Sequence, residues 1–315
     1  MSAAHPQTDQ RLVGAFRRCG DGPLLSASRR RGVGLSVSGP ALVVDDPRSG
    51  GEEAEYRLYF AHHRGHSIRL ATARSLDGPW SIQSPALSLG DTHYTDHIAS
   101  PAVVRDESTG LWRLYFHGGS GTSLDVQSES VALSAGRDGF RVLRRDIGRP
   151  YWSVFTLRGR WYALVMPGSL YESLSGLDDF VFRGSALEPS ARHSSVVVVD
   201  DLVVVFYSRI GDCPEHIRVR VLVPPRQAAA WLSLDLGPAL FPEESYEGSA
   251  LPVRPSRPGG CQAPSRDLRD PGALVLGDRI YVAYAAGGER AIGLAMVPSG
   301  ALLRVARQKL KEQYG

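Results

Sequence analysis

One hairpin pattern returns five times along this chain, and that recurrence limits the fold more than any other feature. Each copy is a short β-branched run, a polar turn and a second apolar or aromatic run. The copies are ALVVDDPRSGGEEAEYRLYFAHHRG (41–65), PAVVRDESTGLWRLYFHGG (101–119), SVFTLRGRWYALVMPG (153–168), SVVVVDDLVVVFYSRIG (195–211) and GALVLGDRIYVAYAAGG (272–288). Runs of strand length, rich in Val and Tyr and punctuated by Asp and Gly, predict antiparallel hairpins. Phe60, Phe116, Val165, Tyr207 and Tyr284 are equivalent, spaced by 56, 49, 42 and 77 residues. Unequal spacing predicts blades with loop insertions rather than a tight solenoid.

A third strand follows each hairpin, as in SIRLATARSLDGPW (67–80), ESVALSAGRDGF (129–140), SLYESLSGLDDF (169–180), HIRVRVLV (216–223) and AIGLAMV (291–297). In the first three, Asp-Gly or Asp-Asp before an aromatic marks a turn into a returning outer strand. Five units of about four strands predict an all-β fold, a five-bladed β-propeller. A β-sandwich would hold hairpins, but fivefold recurrence of one hairpin does not suit it. The tail ALLRVARQKLKEQ (301–313) predicts a short C-terminal helix with Leu302, Val305 and Leu310 near one face. The expected organisation is an N-terminal segment 1–34, a propeller over 35–298 and a helical tail over 299–315.

Composition narrows the setting. The 315 residues are 43% hydrophobic and 22% charged, which excludes disorder and fibrous structure. No apolar run approaches 18 residues, so no membrane span is expected. The start of the chain is polar and lacks a signal-peptide core. Cys19, Cys213 and Cys261 are too few and too scattered for a disulfide framework or a zinc site, so a reducing, cytoplasmic setting is expected. A net charge of +3, with both signs interspersed, does not call for a nucleic-acid partner. The expected partner is a small-molecule substrate, and the oligomeric state stays open.

Propeller topology then sorts the residues. The starts of inner strands and the ends of second strands share one rim, where side chains converge on the axis. Five of nine histidines, His62, His63, His97, His117 and His193, fall there. They could serve as acids or bases, as donors to a polar ligand or as metal ligands. A metal would need three or four within bond reach, so no cofactor is expected, although a His-bound metal remains open.

Several stretches, among them YRLYFAHHRGHSIRLATARSLDGPW, DHIASPAVV, RPYWSVFTLRGRWYALVMPG, RHSSVVVVDDLVVVFYSRIGDCPE and RDLRDPGALV, resemble a bacterial, glycosidase-like branch of the furanosidase-type glycoside hydrolases, the arabinanase, xylosidase and invertase superfamily of five-bladed propellers. The resemblance covers roughly residues 35–297. It implies three rim carboxylates, a base or nucleophile from the first blade, a pKa modulator from the second and an acid from the third. The matching positions here read Ser38-Gly39-Pro40, Ser100-Pro101-Ala102 and Tyr151-Trp152-Ser153, and His62 replaces a further expected acid.

Other acids are available. Asp96 adjoins His97 and can enter the pocket or fix that imidazole's tautomer. Glu215 lies in a rim loop, free or paired with Arg209 or Arg218. Glu247, in the insertion before the fifth blade, is the freest acid, and Asp270 begins that blade's inner strand, free or braced by Arg269. The predicted catalytic set is therefore Asp270, His193, Asp96, His97, Glu215 and Glu247. His62, His63, His117, Tyr151 and Trp152 are predicted to bind substrate, with Arg192 and Arg209 able to hold a carboxylate or phosphate. Hydrolysis needs one carboxyl to protonate the leaving oxygen and another to activate water or attack carbon. Three functions follow: a glycosidase-like enzyme on a sugar-like or other polar molecule, a repurposed lyase, cyclase or isomerase of specialised metabolism using His and Asp, and a non-catalytic ligand binder.

Overall fold

A computed structural model describes residues 12–28, 33–45, 54–121, 126–135, 138–225, 230–261 and 263–314. Two short strands come first, β1 (Arg17–Arg18) and β2 (Leu25–Ser26). The first blade is β3 (Ser38–Asp45), β4 (Glu55–Ala61), β5 (Ser67–Ala73) and β6 (Ser81–Ile82), with β7 (Leu87–Ser88) beside β5. The second is β8 (His97–Arg105), β9 (Trp112–Gly119), β10 (Gln127–Ala135) and β11 (Gly139–Gly148). The third is β12 (Trp152–Leu157), β13 (Arg160–Val165), β14 (Ser169–Ser173) and β15 (Val181–Ser185). The fourth is β16 (Ala191–Val199), β17 (Leu202–Arg209), β18 (Ile217–Val223) and β19 (Leu232–Leu240). The fifth is β20 (Leu268–Leu276), β21 (Arg279–Ala286) and β22 (Ala291–Pro298), followed by helix α1 (Ser299–Tyr314). The protein is the five-bladed propeller its repeats predict.

Strand period explains why the hairpins are so apolar. Side chains alternate between the two faces of a strand, and in a propeller each face meets a neighbouring blade. In β17, Val203, Val205 and Tyr207 join the core shared with the third blade, while Val204 and Phe206 join that shared with the fifth. In β4, Tyr59 and Ala61 face the second blade, and Leu58 and Phe60 face the fifth. With Tyr115 and Trp152 in the core between the second and third blades, each blade junction has its own apolar cluster. Strands buried on both faces read as continuous Val and Tyr runs.

The fifth blade is completed from the other end of the chain. Arg17 and Arg18 of β1 pair with Met296 and Ala295 of β22, making β1 the outermost strand, and β2 pairs with Ile292 and Ala291. The segment 1–34, expected to stand outside the propeller, thus supplies two strands that tie the ring shut. Helix α1 lays Leu302, Leu303 and Ala306 into the cluster between the fourth and fifth blades. Among the described residues no helix is long and apolar enough to cross a membrane.

Candidate active site

The inner strands of the first, second and fifth blades begin alike. A left-handed residue precedes proline in Gly39-Pro40 (φ 55°), Ser100-Pro101 (φ 51°) and Asp270-Pro271 (φ 48°). At the same places the ladder to the second strand slips, between Ser38 and Ala41, Ala99 and Ala102, and Arg269 and Gly272. These bulges turn the intervening residue off the ladder and toward the axis. The fourth blade slips between Ala191 and Ser194, releasing Arg192 and His193 in the same direction. One device thus presents no side chain in blade one, a hydroxyl in blade two and a carboxylate in blade five.

The bulges open into a cavity of 420 Å³. A strap from the insertion before the fifth blade, Pro258-Gly259-Gly260, forms part of its wall. Arg192 Nη1 donates to the Gly259 carbonyl at 2.9 Å, and Nη2 donates to the Arg257 carbonyl. The Cys261 N–H donates to Glu289 Oε1 at 3.0 Å. Gly260 lies against the imidazole of His63, and a Cβ there would overlap the ring.

Two carboxyl groups face this cavity with opposite tendencies. Asp270 is buried, and burial alone would raise its pKa. The hydrogen-bonded His193, followed by Arg269 and Arg192, outweighs that and holds the carboxyl well below the usual carboxylate range. An ionised Asp270 can only accept, so His193 Nδ1 carries the proton of their bond. Glu289, in the left-handed region at φ 57°, is pushed up to about 7 by burial and then by the charge of Asp270. Its Oε2 accepts a hydrogen bond from Ser36 Oγ at 3.3 Å.

The opposite wall is a run of rings. The His97 and His117 centroids lie 5.4 Å apart, His117 and Tyr151 4.2 Å, and Tyr151 and His193 4.5 Å. Burial, followed by the neighbouring histidines, pulls His117 well below the usual imidazole value, and burial lowers His63 as well. Burial raises the Tyr151 phenol to about 12, so it remains a neutral hydroxyl. Seven of the predicted site residues therefore meet in one cavity: Asp270, His193, His97, His63, His117, Tyr151 and Arg192.

The other predicted residues lie elsewhere. Asp96 accepts from His97 Nδ1 at 2.9 Å and pairs with Arg64 at 3.0 Å, and these two bonds hold its carboxyl below the usual range. It braces His97 and does not line the cavity. Glu215 is fully buried, with Arg192 at 2.9 Å, Arg269 at 3.0 Å and Ser208 Oγ at 2.7 Å, and it supports the two arginines from behind. Glu247, predicted to be the freest acid, is fully enclosed. Arg18, the Tyr284 hydroxyl and the N–H groups of Glu243 and Glu244 occupy its oxygens. Trp152 is core, stacked on Tyr115 with its Nε1–H on the Arg149 carbonyl.

His62 belongs to a turn, its carbonyl accepting the Gly65 N–H, and is not part of the wall. Arg209 is held by Asp212 at 2.6 Å and Glu188 at 3.5 Å, away from the cavity. Arg192 lines the cavity, yet Glu215 and two carbonyls take up its guanidinium. Of the two arginines, only Arg192 stands in the cavity, and three acceptors of the protein itself already engage it. Among the described residues no group of three or more His, Cys, Asp and Glu side chains could hold a metal ion.

No family model matches the chain. An uncharacterized protein of Acanthamoeba polyphaga mimivirus is 27% identical over 280 residues, covering 79% of this chain and 78% of that protein. A putative glycoside hydrolase from Bacteroides ovatus superposes with a TM-score of 0.61 at 13% identity, covering 91% of this chain and 97% of its own. A thermostable family-43 glycoside hydrolase gives 0.59 at 14% identity over 82% and 88%. The catalytic domain of the Coprinopsis cinerea family-62 α-L-arabinofuranosidase gives 0.58 at 14% identity over 91% and 98%. The fold is that of these glycoside hydrolases. At such identities the likeness is one of architecture. The inner strands of the first three blades enter the rim with Gly39, Ser100 and Tyr151, and Asp270 and Glu289 stand on the fifth.

Proposed function

We propose that the protein is a glycosidase-like enzyme whose acid–base pair sits on the fifth blade. One observation carries this reading: Asp270 and Glu289 face one cavity with their pKa values driven apart, Asp270 downward and Glu289 up to about 7. Such a split assigns acid and base within a pair of carboxyl groups. Asp270, with His193 donating to it, is the basic side, and the two together form the dyad that takes a proton from water or a substrate hydroxyl. Glu289, protonated up to about pH 7, is the group able to protonate a leaving glycosidic oxygen. The substrate is a sugar-like polar molecule, bounded by the ring wall of His97, His117 and Tyr151 and by the strap.

The test is hydrolysis of a panel of arabinofuranosides, xylosides and galactosides carrying poor and good leaving groups. Wild type should release sugar from at least one. Asp270→Asn should lose on the order of 10²-fold or more in kcat while remaining folded, since asparagine tolerates the left-handed backbone. Glu289→Gln should lose comparable activity on the alkyl glycoside and far less on the dinitrophenyl glycoside, which needs no proton on departure. Absence of turnover across the panel, or equal loss on both leaving groups, would overturn the assignment.

A further inference from the structure

Behind the ring wall lies a carboxyl that the acid–base pair leaves unused. Glu129, on β10, has no exposed surface. Its Oε2 accepts a hydrogen bond from the Tyr151 N–H at 3.1 Å, and its Oε1 has no partner among the described residues. The ladder to β11 slips between Glu129 and Val131, a bulge of the kind that re-aims a side chain beside a functional site. Burial lifts this carboxyl well above the ordinary range, with only the Tyr151 N–H pulling the other way.

Tyr151 is a residue that needs holding. Its φ of 72° lies in the left-handed region, which a side-chain-bearing residue adopts only where its surroundings hold it there. In that pose its ring sits 4.2 Å from His117 and 4.5 Å from His193, centroid to centroid, and its hydroxyl reaches Gln127 Oε1 at 3.4 Å. His193 in turn donates to Asp270. A contiguous path of contacts therefore runs from Glu129 through Tyr151 and His193 to the carboxylate.

We infer that Glu129 is a positioning residue: its hydrogen bond fixes the left-handed Tyr151 backbone, which sets the Tyr151 ring between His117 and His193 and holds His193 against Asp270. The inference builds on the proposed function only in treating His193 and Asp270 as the working pair. Its geometry is read without any turnover. Because the bond needs an acceptor and no charge, glutamine should replace Glu129 and alanine should not, since alanine leaves a buried N–H without a partner.

The experiment follows the His193 Nδ1–H in the full-length protein by ¹⁵N-histidine NMR, with His193→Gln to assign the resonance. Wild type and Glu129→Gln should show the same slow exchange of this proton with water. In Glu129→Ala, still folded by circular dichroism, exchange should accelerate about tenfold or more as the ring loses its support. Unchanged exchange in folded Glu129→Ala overturns the inference. Acceleration by Glu129→Gln equal to that by alanine also overturns it, since the proton rather than the bond would then matter. Should Glu129→Ala fail to fold, Tyr151→Ala takes its place and must produce the same acceleration. Failure of every glycoside to react would sink the proposed function and leave this readout untouched.

Discussion

Glu289 carries the sharpest consequence at the level of single residues, because its ionisation changes within the neutral range. Its carboxyl titrates near the ordinary 4.5 when the chain is unfolded and near 7 in the fold. Between those values the folded protein keeps a proton that the unfolded chain has released. Stability contributed by this group is therefore fully present below about pH 4.5 and lost as pH rises through 7, an effect of roughly 3 kcal/mol at most. Urea unfolding as a function of pH should show wild type losing stability relative to Glu289→Gln across that window and running parallel to it above. Parallel curves from pH 4 to 8 would mean the carboxyl is not raised. The alkaline limb of the activity should fall with the same midpoint. Glu289 lies just past the second-strand end at Ala286, in the turn to β22, on the rim where second strands end. Glu129 likewise lies near the start of a third strand, β10, on the same rim. Counting third-strand starts with the first two classes would have found both, since those positions share the rim for the same topological reason. What no residue count supplies is burial, which raises the Glu289 carboxyl and encloses Glu247.

Among the elements, β1 shows how much can hang on two residues. Its Arg18 places Nε and Nη2 on Glu247 at 2.8 Å each, Nη1 on Glu243 at 2.9 Å and Nη2 also on the Phe241 carbonyl at 2.6 Å. Burial opposes the charge on Glu247, but Arg18, the Glu244 N–H and the Tyr284 hydroxyl hold the carboxyl below its usual range. The outer strand is thus bolted to the insertion that continues into the strap. Glu247→Ala strips Arg18, the Tyr284 hydroxyl and two N–H groups of their enclosed acceptor while Arg18 keeps Glu243 and the Phe241 carbonyl, so it should cost about 3 kcal/mol in urea unfolding. Glu247→Gln, which keeps acceptor capacity, should cost less. At temperatures where the variants are folded, kcat should stay near wild type, because Glu247 does not face the cavity. A collapse of kcat in well-folded Glu247→Gln would return this residue to the catalytic set. Long strands announced themselves by composition, whereas a two-residue strand has no period to detect. Its pairing is visible only once the ring brings residue 17 beside residue 296.

For the molecule as a whole, the pocket exists because five blades close on one axis, and the last blade meets the first at close quarters. Gly272, just past the Asp270 bulge in β20, lies so near β3 that a Cβ would fall inside the Pro40 carbonyl group. Backbone blocks backbone there, so no side-chain rotation can relieve an added methyl. The same close approach sets the spacing between the bulges that carry Gly39 and Asp270, joining ring closure to the placement of the carboxylate. Gly272→Ala must therefore separate the first and fifth blades or shift the Asp270 bulge. The expected result is a loss of more than about 2 kcal/mol in unfolding free energy, with kcat falling further than Glu247→Ala lowers it. Gly90→Ala supplies the comparison: nothing lies within 4 Å of a Cβ at that position, so it should match wild type in both measurements. A Gly272→Ala protein as stable and active as Gly90→Ala would show that the blades can part there without disturbing the site. The working geometry would then be set within the fifth blade itself rather than by closure of the ring.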